Sequence, residues 1–159
     1  MTIREITRDD AAAVTDLYLD VCSRHSELDP DWGVPERDPI FDWVLRTTES
    51  DEAVCLVVEA EGAIVGFLLA SVARHPAMPG VLGQLEELHV RPGRDELRLK
   101  RELVDVGIAW ARDRMADPIQ TTVGLEAPWT DGELSFWTSI GFEHDQALVT
   151  RYFPEGKGC

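Results

Sequence analysis

At 159 residues, with 44% apolar and 28% charged side chains, the chain has the length and composition of one globular domain with a real core. Thirty acidic against fifteen basic residues leave a formal charge of −15, which argues against nucleic acid or an anionic membrane as partner and favours a cationic or amine ligand. No apolar run reaches the roughly 20 residues of a membrane span, MTIREITRDD carries no signal-peptide pattern, and Cys22, Cys55 and Cys159 show no CxxC spacing. A reducing, cytoplasmic setting without a disulfide framework is the expectation. The four histidines, at 25, 75, 89 and 144, have no metal-ligand spacing, so no metal site is expected.

Residues 2–7 read as a short strand that buries Ile3 and Ile6. Asp9 reads as the N-cap of a helix carrying Val14, Leu17, Tyr18 and Val21 on one face. HSELDPDWGVP, from His25 to Pro35, reads as a loop by its Pro, Gly and Asp content. Asp38-Pro39 looks like an N-cap and first helical residue, followed by Ile40, Phe41, Val44 and Leu45 as the buried face of a second helix. AVCLVVEA and AIVGFLLASVA are continuous apolar runs joined at Glu61-Gly62. They predict a hairpin inside a sheet covered on both faces. RHPAMPGVLG, residues 74–83, is a Pro/Gly loop.

Leu85 to Ala111, LEELHVRPGRDELRLKRELVDVGIAWA, is the organising stretch. Leu85, Leu88 and Val90 predict a strand, which Pro92 and Gly93 end. Asp95 is placed to cap a helix running from about Glu96 to Met115. Its expected buried face combines Leu99, Leu103, Val106 and Trp110 with Leu97, Val104, Ile108, Ala111 and Met115. Arg91, Arg94, Arg98, Lys100 and Arg101 cluster around the helix start. Two readings fit them: a phosphate-bearing ligand at the free N–H groups of the helix end, or pairing at helical spacing with Glu96, Glu102 and Asp105. Further on, Thr121 to Glu126 reads as a strand, Trp129 to Ser139 as a short helix stopped near Gly141, and Phe142 to Phe153 as one or two terminal strands. PEGKGC is an expected frayed tail.

On the central strand stand Glu86, Glu87 and His89. Strict alternation puts Glu87 and His89 on one face and Glu86 on the other. A carboxylate there can take a proton from an incoming ammonium, directly or through water, or it can sit in a salt bridge. His89 reads as a satisfied, half-buried histidine.

Three stretches carry a resemblance that spans nearly the whole chain: EAEGAIVGFLLA, LEELHVRPGRDELRLKRELVDVGIAWAR and ELSFWTSIGFE. In order and spacing they resemble the GNAT superfamily of N-acetyltransferases. The resemblance implies one α/β (mixed α+β) domain over residues 1–159, with a central mixed sheet of about six to seven strands flanked by about four helices. It implies an acetyl-CoA-dependent N-acetyltransferase acting on a primary amine of a small molecule or peptide, as monomer or homodimer. Leu88, His89 and Val90 would line the pantetheine arm. Arg94, Asp95, Glu96, Leu97, Arg98, Leu99 and Lys100 would face the phosphates, with Phe136 completing the cofactor set. Glu87 or Glu86 would be the base, and His25, Asp29, Asp31 and Trp32 would border the acceptor.

Two departures stand beside the resemblance. The motif positions of the phosphate turn fall on Asp95, Arg98 and Lys100, so the two small residues that let backbone N–H groups approach phosphate are replaced by cations. The slot of the family's proton-donating tyrosine holds Trp137, and an indole is no practical acid. Phe136 and Trp137 also read as core. The alternative reading is therefore a GNAT-fold binding or regulatory protein that has lost acetyl transfer.

Overall fold

The computed structural model describes residues 1–28, 33–74, 80–93, 95–122 and 130–143. The chain divides into two compact units, Met1–Val123 and Gly124–Cys159. In the first unit β1 (Thr2–Glu5), β2 (Ala53–Ala60), β3 (Ala63–Arg74), β4 (Val81–Val90) and β5 (Ala116–Thr121) form one sheet in that order. The first three junctions are antiparallel and β4–β5 is parallel, as expected for a connection that passes through a helix. The fold is thus mixed α+β. Five strands are seen among the described residues, not six or seven: Phe142 and Glu143 lie outside any strand, and the rest of the predicted terminal strands lies outside the described residues.

The β2–β3 hairpin follows from its turn. Glu61 (φ 53°) and Gly62 (φ 79°) both take the left-handed conformation that a two-residue turn of matching twist requires. Phe67 and Leu69 join Val14, Leu17, Val44, Cys55 and Val57 in one core, against α1 (Ala11–Leu28) and α2 (Arg37–Thr47). Leu68, one residue out of phase, faces the opposite side, where α3 (Glu96–Asp113) packs.

Several local expectations shift. Thr7 rather than Asp9 opens the first helical segment: its backbone N–H and its hydroxyl both donate to Asp10 Oδ2, at 2.8 and 2.6 Å. α1 runs to Leu28, so His25 is helical rather than in a loop. α2 starts at Arg37, which puts Asp38 and Pro39 inside its first turn, where a missing N–H costs nothing. β5 begins at Ala116 and ends at Thr121, earlier than the predicted strand. Its run ADPIQT has little apolar signal because only Ala116 is buried.

The buried face of α3 is Leu99, Leu103, Val104, Gly107, Trp110 and Ala111. Leu97, Val106 and Met115 are exposed at 65%, 39% and 80%, against expectation. The cause is Gly107. A Cβ there would sit 2.5 Å from Leu68 Cδ2 and 3.5 Å from Leu85 Cδ2, so the line of closest approach runs through a residue without a side chain. Apolar periodicity cannot see such a residue, and the expected stripe was accordingly too broad.

Arg4 closes the sheet edge over this start. Its guanidinium donates to both Asp10 oxygens (2.7 and 3.0 Å) and to Glu59 Oε2 (2.9 and 3.1 Å). Hydrogen bonds from Arg4 hold the Asp10 carboxyl well below the usual carboxylate range. A depressed carboxylate contributes stability above its unfolded value of about 4, and that contribution is lost as pH falls towards the folded value. The melting temperature is therefore expected to drop between pH 5 and pH 3 by less in Asp10→Asn than in the parent, with the variant less stable at pH 7; equal pH slopes would remove Asp10 from the acid sensitivity.

Candidate functional site

The site is built on the second half of β4, and a bulge makes it. Against β3, Leu69 pairs with Glu87, Leu68 with Leu88, Phe67 with His89 and Gly66 with Val90, but Ala70 pairs with Leu85. Glu86 is the extra residue. The Ser71 hydroxyl donates to Glu86 Oε1. Ser71 alternates onto the same face as Phe67 and Leu69, so the bulge turns Glu86 to the face of Glu87 and His89. The expected placement of the two glutamates on opposite faces is thus overturned by one inserted residue.

On that face Glu87 Oε2 lies 2.8 Å from His89 Nε2, with the side chains 34% and 17% exposed. The imidazole is held by rings. Phe67 is 5.2 Å away and Tyr18, from α1, meets it nearly edge-on at 5.7 Å and 76°. Tyr18 in turn contacts Trp43 of α2 at 5.7 Å. Burial, then the charge of Glu87 and the neighbouring Cys22, pushes the Tyr18 phenol well above its usual range. Burial likewise raises the Cys22 thiol. Both remain neutral near pH 7, so neither is an activated nucleophile.

The same stretch of β4 loses its other neighbour. Pairing with β5 runs from Val81–Ala116 to Leu85–Thr121, where the Thr121 hydroxyl donates to the Leu85 carbonyl at 2.9 Å. From Glu87 to Val90 the strand keeps β3 but has no β5 partner among the described residues. Among the described residues nothing pairs with the β5-side edge of Leu88, His89 and Val90, and an edge of that kind can hydrogen-bond another extended chain.

Beyond it the turn leads into α3. The Arg91 N–H donates to the Val65 carbonyl (2.8 Å), and the Glu96 N–H to the Gly93 carbonyl (3.3 Å). Asp95 stands at the N-cap but makes no capping bond with its side chain. The N–H groups of Leu97 and Arg98 precede the first bond of the helix proper, Leu99 N–H to the Asp95 carbonyl at 2.9 Å. The cations here have partners. Arg98 Nη1 lies 2.6 Å from Glu102 Oε1, Arg98 Nε 3.5 Å from Asp95 Oδ1, and Lys100 Nζ 2.7 Å from Glu96 Oε1. Of the two readings of the basic cluster, pairing at helical spacing is the geometry present. Leu99 is buried, Leu97 is exposed, and Arg94 lies outside the described residues, as do Asp29, Asp31 and Trp32.

In the second unit, α4 (Thr130–Ser139) ends as its glycine indicates. Gly141 has φ 93°, its N–H donates to the Thr138 carbonyl (3.1 Å), and the Phe142 N–H donates to the Trp137 carbonyl (3.1 Å). The Trp137 ring packs on Phe142 at 5.0 Å and on Phe136 at 5.2 Å. Trp137 is thus the apolar partner that closes the helix end.

Among the described residues no three His, Cys, Asp or Glu side chains are grouped to hold a metal, and no helix is long and apolar enough to cross a membrane. Sequence reasoning missed Tyr18 and Cys22 beside Glu87, Phe67 against His89 and Trp43 against Tyr18. Their apolar spacing marks them only as core, and nothing local signals which strand they face.

The profile of the acetyltransferase (GNAT) family matches residues 12–142. A mutant of the BH1408 protein from Bacillus halodurans superposes with a TM-score of 0.82 at 19% identity, over 97% of this chain and 100% of its own. Aminoglycoside N-acetyltransferase AAC(6')-Iy in complex with CoA gives 0.73 at 18% identity, over 98% and 95%. The ribosomal-protein-alanine N-acetyltransferase of Brucella melitensis biovar Abortus 2308 gives 0.69 at 18% identity, over 96% and 98%. At these identities the likeness is one of fold. No curated protein sequence matches the chain.

Proposed function

Because the chain belongs to the GNAT acetyltransferase family, we propose that it transfers an acetyl group from acetyl-CoA to a primary amine of a small molecule or peptide. One observation carries this reading: within five residues of β4 a strand edge without a β5 partner among the described residues and the half-exposed Glu87 carboxylate occur together. The neighbours whose names state an N-acetylation act on an aminoglycoside and on an alanine of a ribosomal protein. The net charge of −15 favours a cationic acceptor.

Acetyl-CoA fits the residues present. Leu88, His89 and Val90, which have no β5 partner among the described residues, would hold the pantetheine amides, and the N–H groups and cations at the start of α3 would meet the phosphates. When bound it supplies the activated thioester that a neutral amine attacks. Glu87 takes the proton from the acceptor ammonium, so that the nitrogen carries a free lone pair. His89 holds the carboxylate in place through the 2.8 Å bond, and Tyr18 and Phe67 hold His89. A backbone N–H of β4 near Leu88 would be the donor available to the thioester carbonyl oxygen. No tyrosine of α4 donates the final proton. A thiol with a solution pKa of about 8.5 leaves tolerably near neutral pH and takes its proton from water or the departing ammonium.

A second reading has one observation in its favour. Arg98 and Lys100 stand where the family has small residues, and both are engaged by carboxylates of their own helix. A GNAT-fold binding protein without acetyl transfer would look the same here. Calorimetry with CoA and acetyl-CoA separates the two: the enzyme reading expects binding at micromolar to sub-millimolar ligand, and absence of binding at millimolar ligand would favour the binding protein.

A further inference from the structure

We propose that Glu96 and Glu102 set the affinity of this chain for CoA, acting as built-in competitors for the cations that meet its phosphates. The inference rests on the cofactor reading above and concerns residues that reading leaves without a role. The segment Asp95 to Glu102, DELRLKRE, carries three cations, Arg98, Lys100 and Arg101, and three carboxylates, Asp95, Glu96 and Glu102. The charges from the N-cap Asp95 to Glu102 therefore cancel. A polyanion approaching this helix end is offered N–H groups and neutralised side chains.

The geometry makes the competition specific. Lys100 Nζ is 2.7 Å from Glu96 Oε1, and Arg98 Nη1 is 2.6 Å from Glu102 Oε1. These are the distances of full charge-assisted hydrogen bonds, the kind a phosphate oxygen would make with the same donors. Each glutamate lies four residues from its cation, so the pair is closed by the helix itself and reforms whenever the ligand leaves. Side chains at positions 98 and 100 also obstruct the close backbone approach that a glycine permits. Phosphate contact thus depends more on the cations, and the cations are already engaged. When phosphate displaces the glutamates, their charges stay within a few ångströms of it. Such partly exposed pairs hold weakly, so displacement is feasible, but the pairing and the residual repulsion both oppose binding.

Removing the carboxylates should therefore act opposite to removing the cations. Gln keeps the length, polarity and helix propensity of Glu, so the fold is preserved. Calorimetry with CoA as titrant on the Glu96→Gln/Glu102→Gln protein at low salt should show binding about threefold to tenfold tighter than the parent. The gap should shrink as salt approaches 1 M, where screening acts over about 3 Å. Asp113→Asn, which removes one carboxylate from the far end of the same helix, should change affinity by less than twofold, roughly the effect of a screened remote charge. Far-ultraviolet circular dichroism confirms that each variant is folded. If the parent binds CoA and the double variant binds equally or more weakly, the glutamates organise the cations instead of competing for them. The inference then fails while the cofactor reading stands. An equal gain in Asp113→Asn reduces the effect to net charge and also overturns it. If neither parent nor double variant binds at millimolar CoA, both readings fall together.

Discussion

Replacing Glu87 by glutamine is expected to lower kcat/KM for acetyl transfer by about a hundredfold or more, the usual range for loss of a positioned base. The amide keeps the size and the bond to His89 but cannot accept a proton from an ammonium. CoA affinity should stay within about twofold, because the carboxylate lies on the face of the sheet away from α3 and makes no contact with the turn. The companion substitution decides between the two glutamates. Glu86 sits on the same face through the bulge, but it is exposed and bonded to Ser71, whereas Glu87 is half-buried beside His89, Tyr18 and Cys22. Glu86→Gln should therefore keep activity within a few-fold. The measurement is thiol release from acetyl-CoA in the presence of a panel of primary amines, with His89→Gln as a further probe of how Glu87 is held. Near-parental activity in a folded Glu87→Gln protein, with a large loss in Glu86→Gln, would move the base to the bulge.

Truncating Phe67 to alanine is expected to cost about 3–5 kcal/mol of stability, the range for a buried phenylalanine. Phe67 is fully buried, at 0% exposure, and is among the largest such side chains. It packs where α1, α2 and the sheet meet, within ring distance of Tyr18 (6.4 Å) and His89 (5.2 Å). For a chain of this size the loss corresponds to a fall in melting temperature of roughly 10 °C. Denaturant unfolding should show a lower midpoint at unchanged slope. The cavity also removes one of the two rings that hold His89, so any protein that still folds should lose part of its catalytic efficiency as well. A cost below about 1 kcal/mol would mean that the core closes around the site without this ring.

The elements readable in the sequence are those whose cause is local. The β2–β3 hairpin follows from two apolar runs and a Glu61-Gly62 turn that needs two left-handed residues. Helix α3 follows from 3.6-residue periodicity after Pro92 and Gly93, and the end of α4 from Gly141 at positive φ. The candidate site was legible to the same depth. Its strand, its turn and Glu87 could be named because a strand–turn–helix with a carboxylate on the strand is a pattern along the chain.

What the sequence could not carry is set by neighbours distant along it. The bulge at Glu86 arises from the register between Leu69 and Ala70 on another strand, and it alone decides that both glutamates share a face. Among the described residues the pairing of β4 with β5 ends at Leu85 and Thr121, thirty-six residues apart along the chain. Leu97 and Val106 are exposed because the contact line of α3 passes through Gly107 onto Leu68 and Leu85. The setting of Glu87 depends on Tyr18, Trp43 and Phe67, which three separate elements bring to one place. Sequence by itself determined the hairpin, the β4–turn–α3 run and the family they compose, because backbone preference and period are properties of neighbouring residues. Tertiary structure alone decided which side chains surround Glu87 and His89 and where the pairing of β4 with β5 ends among the described residues, because burial and strand register are fixed only when distant segments pack.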